Sequence, residues 1–216
     1  MTSHHTTRTT SGSSLSALSL VGAFLPWIAF TVVAQRLAAD GVAWSALIAV
    51  AMTVVALLWD RARNIPMQLN IYSGVLFATM AVAGFVGGRE VDQWLFEWGR
   101  PLVGVVLGLL ILATVGVRPF TAEYAKKDLP REAWTSPVFV KINRVLSAAW
   151  GAAIVVIGLS GVVVAALEGQ PTGTDSPYLL DLALNWVVPI VALVWAVHFT
   201  KTYPDRVTGS ATARNG

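Results

Sequence analysis

The sequence predicts an all-α, polytopic membrane protein with six transmembrane helices and both termini in the cytoplasm. Three observations lead there. Hydrophobic residues make up 55% of the 216-residue chain and charged residues only 12%, where soluble domains average about 25% charged. The mean hydropathy is +0.64. The apolar residues gather into six runs that contain no Asp, Glu, Lys or Arg. Each run approaches the roughly 20 residues that span about 30 Å of hydrocarbon, with about 17 the usual minimum. Helices are the expected element, because an open strand leaves its backbone groups unsatisfied in lipid.

Residues 1–14 are rich in Ser and Thr and have no core, so they read as a disordered tail, as do residues 207–216. The domain between them, 15–206, holds spans over Leu15–Ala34, Gly41–Trp59, Leu69–Gly87, Pro101–Val117, Val145–Leu167 and Leu182–Thr200. Charges sit close to their ends, among them Arg36, Asp40, Asp60, Arg89, Arg100, Arg118, Arg144, Glu168, Asp181 and Lys201. Span one has a competing reading as a signal peptide cleaved after Val32-Val33-Ala34. Its apolar run is longer than a usual signal core and its basic region is Arg8 alone, so a retained helix is expected.

Two connections carry structure of their own. In the segment after span three, Val91, Trp94, Leu95 and Trp98 recur at helical spacing while Glu90, Asp92 and Glu97 take other faces, which predicts a short amphipathic helix lying in the interface. In 118–144, Pro119–Lys127 reads as a short helix, with Glu123 and Lys127 at a favourable i, i+4 spacing. Ser136-Pro137 then reads as an N-cap followed by proline at the first helical position. Helix five therefore starts before the bilayer, with Lys141 and Arg144 snorkelling outward.

Lys and Arg set the orientation. The N-tail, the second and fourth connections and the C-terminal segment together hold twelve of these residues, and the opposite side holds three, Arg36, Arg89 and Arg100. The basic pI near 9.5 is thus an orientation signal facing anionic lipid rather than a nucleic-acid footprint. Trp44, Trp59, Trp94, Trp98, Trp134 and Trp186 fall near span ends, as an aromatic belt would.

The chemistry is sparse. There is no cysteine, which removes disulfides, iron–sulfur clusters and thiol catalysis. Of His4, His5 and His198 only the last lies in an apolar run, too few for paired haem ligands, and one imidazole is a poor metal site. No catalytic residue, cofactor or metal is expected. Gly158-Leu159-Ser160-Gly161 with His198 resembles the serine/histidine dyad of rhomboid intramembrane proteases. Ser160 would lie about 24 Å from the cytoplasmic boundary and His198 about 5 Å from it, whereas a base must come within about 3 Å of its nucleophile. Ser160 and Asn185 instead form a candidate intramembrane polar cluster, read first as structural glue and second as a pocket for a small ligand. The small-residue pairs Gly84/Gly88, Gly104/Gly108 and Ser147/Gly151 read as packing surfaces within the chain, with a homo-oligomer interface as the alternative. With no Asp, Glu, Lys or Arg in any span, ion-coupled transport is disfavoured. A channel or facilitator for a small neutral solute or lipid remains, using Thr79, Ser160 and Asn185.

Several segments, in order, carry a likeness: Phe24-Leu25-Pro26, Asp60-Arg61-Ala62-Arg63, Leu129-Pro130-Arg131-Glu132-Ala133-Trp134, Ile142-Asn143-Arg144, Ala149-Trp150-Gly151, the Ile154–Ala166 run and Tyr203-Pro204-Asp205. Over most of 24–205 the sequence resembles the bacterial intracellular septation protein A family, most specifically at Trp134, Asn143 and Trp150. The resemblance implies a multi-pass protein of the bacterial inner membrane. It would support cell division and envelope synthesis through division or cell-wall synthesis proteins, without catalysis. Trp134, Asn143, Arg144 and Trp150 are the candidate partner-docking residues, with a belt tryptophan, a cap and a snorkelling arginine as the plainer reading.

Overall fold

The computed structural model describes residues 25–37, 41–62, 68–126, 129–168 and 177–212. The tail 1–14, the first half of span one and the last residues, 213–216, lie outside them. Among the described residues the chain is helical, without a strand. The helices are α1 (Leu25–Leu37), α2 (Val42–Ala62), α3 (Gln68–Trp94), α4 (Arg100–Thr114), α5 (Phe120–Ala125), α6 (Pro137–Glu168), α7 (Pro177–Leu182) and α8 (Val188–Thr212).

Four helical stretches are long and apolar enough to cross a membrane: Val42–Ala62, Gln68–Gly99, Pro137–Leu167 and Ala183–Thr208. This fits a multi-pass integral membrane protein. The fourth predicted span is shorter than expected, since its apolar helix Pro101–Thr114 falls below the length of the others. The chain leaves it through a turn at Val115–Val117 that turns toward α5. The first span is described over 13 residues. Those residues are packed into the bundle: Phe30 is buried, the Trp27 ring lies 4.6 Å from that of Phe77, and Trp27 Nε1 donates to Ser73 Oγ at 2.6 Å.

Proline explains both irregular helical turns. A proline ring clashes with the carbonyl four residues earlier and offers no N–H to it. Pro101 and Pro189 each meet that problem, and the chain answers with π-helical turns at Leu95–Gly99 and Ala183–Val187, which contain the affected residues Glu97 and Asn185. A sharper break occurs at Gly88. Its φ of 69° is a left-handed conformation that a side chain resists, and it separates the apolar part of α3 from the short stretch that follows. That stretch is helical, as expected, but a different face is buried. Asp92, Leu95 and Gly99 turn inward while Trp94 is exposed. Asp92 is drawn in by the start of α2.

The helices pack as two groups, α1–α2–α3 and α4–α6–α8, with α5 laid on α6. The π-turn at Leu95–Gly99 touches α3, α4 and α6 and joins them. The tightest seam is α4 on α6. A Cβ on Gly104 would lie 3.1 Å from Gly158 Cα, and one on Gly108 would lie 2.8 Å from the Gly151 carbonyl oxygen. Missing side chains let these backbones touch, so dispersion acts over many atom pairs. Gly84 serves α2 and α3 in the same way, against Ala43, whereas Gly88 has no atom within 4 Å of where its Cβ would be. α8 is peripheral: 6% of its apolar window is buried, against 33–39% in the other three spanning helices. It continues to Thr212, through part of the stretch expected to be a tail.

Candidate functional site

The start of α6 is built as the sequence predicts. The Phe139 N–H donates to Ser136 Oγ at 3.2 Å, which caps the helix whose first residue is Pro137. α5 then lies across this helix. Thr121 holds it there: its hydroxyl donates to the Asn143 carbonyl at 2.9 Å, sits 2.9 Å from Ser147 Oγ, and its N–H donates to that same oxygen at 3.2 Å. Phe120 is buried beneath, beside Trp150.

The four candidate docking residues do not share one surface. Asn143 is 2% exposed and donates through Nδ2 to the Phe139 carbonyl at 2.9 Å. Trp150 is 4% exposed and donates through Nε1 to Thr200 Oγ1 at 2.9 Å, which ties α6 to α8. Arg144 is exposed, and its Nη2 donates to the Gly116 carbonyl at 2.8 Å. Trp134 is the outlying member. Its indole donates to the Leu129 carbonyl at 3.1 Å, and the cations of Lys126 and Arg131 sit 5.4 and 5.8 Å from its ring centroid. Each such contact at an exposed site contributes about 0.5–1 kcal/mol. Sequence reading missed these cations because the pairing depends on where the fold sets Lys126 and Arg131 relative to the Trp134 ring.

Ser160 is buried and donates to the Ile157 carbonyl of its own helix at 2.7 Å. Asn185 is exposed in the π-turn before α8. Thr79 is exposed and donates to the Val75 carbonyl at 2.8 Å. His198 is exposed on α8. Ser160 is enclosed by the bundle, whereas Thr79, Asn185 and His198 lie on its outside.

Two polar groups were not anticipated. At the end of the bundle where α2 finishes, Asn70 Nδ2 donates to Asp60 Oδ2 at 2.6 Å, and Gln68 Nε2 donates to Tyr72 Oη at 2.7 Å and to the Arg118 carbonyl at 3.3 Å. The amide oxygens of Gln68 and Asn70 are buried without a donor among the described residues. Tyr124 of α5 lies near this cluster. Burial first, then the negative charges of Asp60 and Glu123, pushes its phenol well above the ordinary tyrosine range, so it stays protonated. At the opposite end of α2, the Ala43 N–H donates to Asp92 Oδ1 at 2.8 Å. This carboxylate is 7% exposed and acts as a helix cap supplied from a distant segment. Beside it opens a pocket of about 470 Å³, lined by Ala43, Trp44, Gly84, Phe85, Gly88, Arg89 and Asp92.

No group of three or more His, Asp or Glu side chains poised to hold a metal ion occurs among the described residues. No family model matches the chain, and no curated protein or solved structure matches it either.

Proposed function

We propose that this chain is a non-enzymatic, six-span protein of the bacterial inner membrane, with both tails in the cytoplasm, that supports envelope biogenesis or cell division through protein–protein contacts. The role is the one implied by the likeness to the septation protein A family. The observation that carries it is the use made of polar groups inside the apolar helices. Ser45, Thr53, Ser73, Thr79 and Ser160 each donate to a carbonyl of their own helix at 2.7–2.9 Å. Hydroxyls used in this way satisfy their own polarity inside the helix and do not converge on a substrate. The glycine-lined α4–α6 seam closes the bundle further.

The surface that remains for partners is the segment between α4 and α6, where Trp134 stands with Lys126 and Arg131. Aromatic and arginine side chains are enriched at such contacts. Recovery of the tagged protein from native membranes in mild detergent tests the proposal. Division or cell-wall synthesis proteins should accompany the wild type, and a Lys126→Ala/Arg131→Ala/Trp134→Ala variant that still folds should recover fewer. If the wild type recovers none of them, the proposal fails.

A further inference from the structure

The pocket at the start of α2 combines features that a structural cap alone does not need. Asp92 is nearly enclosed, and its hydrogen-bond donor among the described residues is the Ala43 N–H on Oδ1. A carboxylate offers about four acceptor sites, so one backbone donor leaves most of its capacity unused. A charge removed from water also calls for a counter-charge. Asp92 lines the pocket, so that counter-charge can enter beside it.

The walls fit a cation. Trp44 and Phe85 meet edge to face, with ring centroids 5.2 Å apart and planes at 89°. Both are about half exposed. In an edge-to-face pair one ring keeps an open face, and an ammonium held over such a face gains about 0.5–2 kcal/mol as water is excluded. The remaining charged residue of the lining is Arg89, exposed and one position beyond the Gly88 break. A guanidinium has five N–H donors and suits phosphate oxygens.

These groups select among ligand classes. A lone anion would face Asp92, which already occupies the donor-rich start of α2. Among the described residues of the lining, a divalent cation would find one carboxylate and an arginine, far from the six to eight oxygens that calcium prefers. A ligand with an ammonium at one end and a phosphate at the other sets a cation against the Asp92 carboxylate and brings further acceptors to the five donors of the Arg89 guanidinium. The position agrees, because the pocket lies where α2 begins and the apolar part of α3 ends at Gly87, the depth at which headgroups meet a membrane protein. A volume of about 470 Å³ falls within the range of small-ligand sites.

We propose that this pocket binds the headgroup of a zwitterionic phospholipid, with its ammonium against the Asp92 carboxylate and the Trp44–Phe85 pair and its phosphate toward Arg89. The proposal rests on the chain lying in a bilayer and not on the division role, so failure to recover division proteins leaves it standing.

Native mass spectrometry of the full chain, released from detergent with defined lipids, tests it. Phosphatidylethanolamine should bind more tightly than phosphatidylglycerol, which shares the phosphate and lacks the ammonium. Asp92→Asn keeps an oxygen for the Ala43 N–H and removes the charge, and should weaken phosphatidylethanolamine by about tenfold or more while leaving phosphatidylglycerol at least as tight. Trp44→Leu with Phe85→Leu, at half-exposed positions, should lose the preference even if the Asp92 variant does not fold. Soluble phosphoethanolamine should compete with the lipid only at much higher concentration, and equal competition would identify a free metabolite as the ligand in place of a lipid. Equal binding of the two lipids by the wild type overturns the proposal. So does a preference that survives in the folded Asp92→Asn protein or in the double variant.

Discussion

Replacing Gly158 with alanine tests the close backbone approach of α4 to α6. A Cβ there would collide with the backbone nitrogen of Val105 and come within 2.8 Å of the Gly104 carbonyl carbon. Neither is the tip of a flexible side chain, so α4 and α6 must separate or shift. Overpacking of this kind costs about 1–3 kcal/mol, and the rigid backbone contact places Gly158→Ala near the top of that range. Against this, alanine in a helix interior gains roughly 1 kcal/mol over glycine. The net expectation is a loss of about 2 kcal/mol, or roughly 4–8 °C in melting temperature for a chain of this length. Thermal unfolding in one detergent, followed by tryptophan fluorescence, measures it. Gly116→Ala is the control, because no atom lies within 4 Å of its Cβ position, and it should change stability by less than about 0.5 kcal/mol. A Gly158→Ala protein as stable as the wild type would refute the close α4–α6 contact.

Other substitutions examine separate joints. Thr121→Val removes the hydroxyl between the Asn143 carbonyl and Ser147, and should cost about 1–2 kcal/mol in denaturant unfolding, with faster proteolysis in 118–136 as α5 loosens. Asp92→Ala should cost about 1–2 kcal/mol through loss of the cap and speed hydrogen exchange at the Ala43 amide, whereas Asp92→Asn should preserve protection there. Tyr124 gives a pH-dependent expectation. Its folded pKa is raised above the unfolded value near 10, so its contribution is full below about pH 10 and falls as pH rises beyond it. The wild type should therefore lose stability relative to Tyr124→Phe as pH climbs above about 10, and parallel melting curves for the two would count against the buried placement of the phenol.

Much of the fold was readable because local chemistry decided it. The apolar runs marked the helices, Ser136-Pro137 marked the start of α6, and the Gly104/Gly108 spacing marked a packing face. Ser160 bonds to the Ile157 carbonyl of its own helix. What was not readable depends on distant partners. Asp92 looked like a solvated face of an interfacial helix, and its burial comes from an N–H 49 residues away in sequence. Thr121 meets Ser147 across 26 residues, and the Gln68–Arg118 contact spans 50. Asn143 and Trp150 stood out as unusual in the right places, but spacing alone does not separate a residue that faces a partner from one that closes its own bundle. The π-turns had a local signal in Pro101 and Pro189, each of which implies trouble for the carbonyl four residues earlier.

The peripheral seat of α8 bears on the order in which the protein assembles. It leaves the ribosome after α4 and α6, and its enclosed contacts follow a narrow line through Ala196 and Thr200 to Trp150. The glycine seam between α4 and α6 lies wholly upstream of it. The bundle can thus zip its densest contact while α8 is still being threaded into the bilayer. Adding that helix does not require reopening the part already closed.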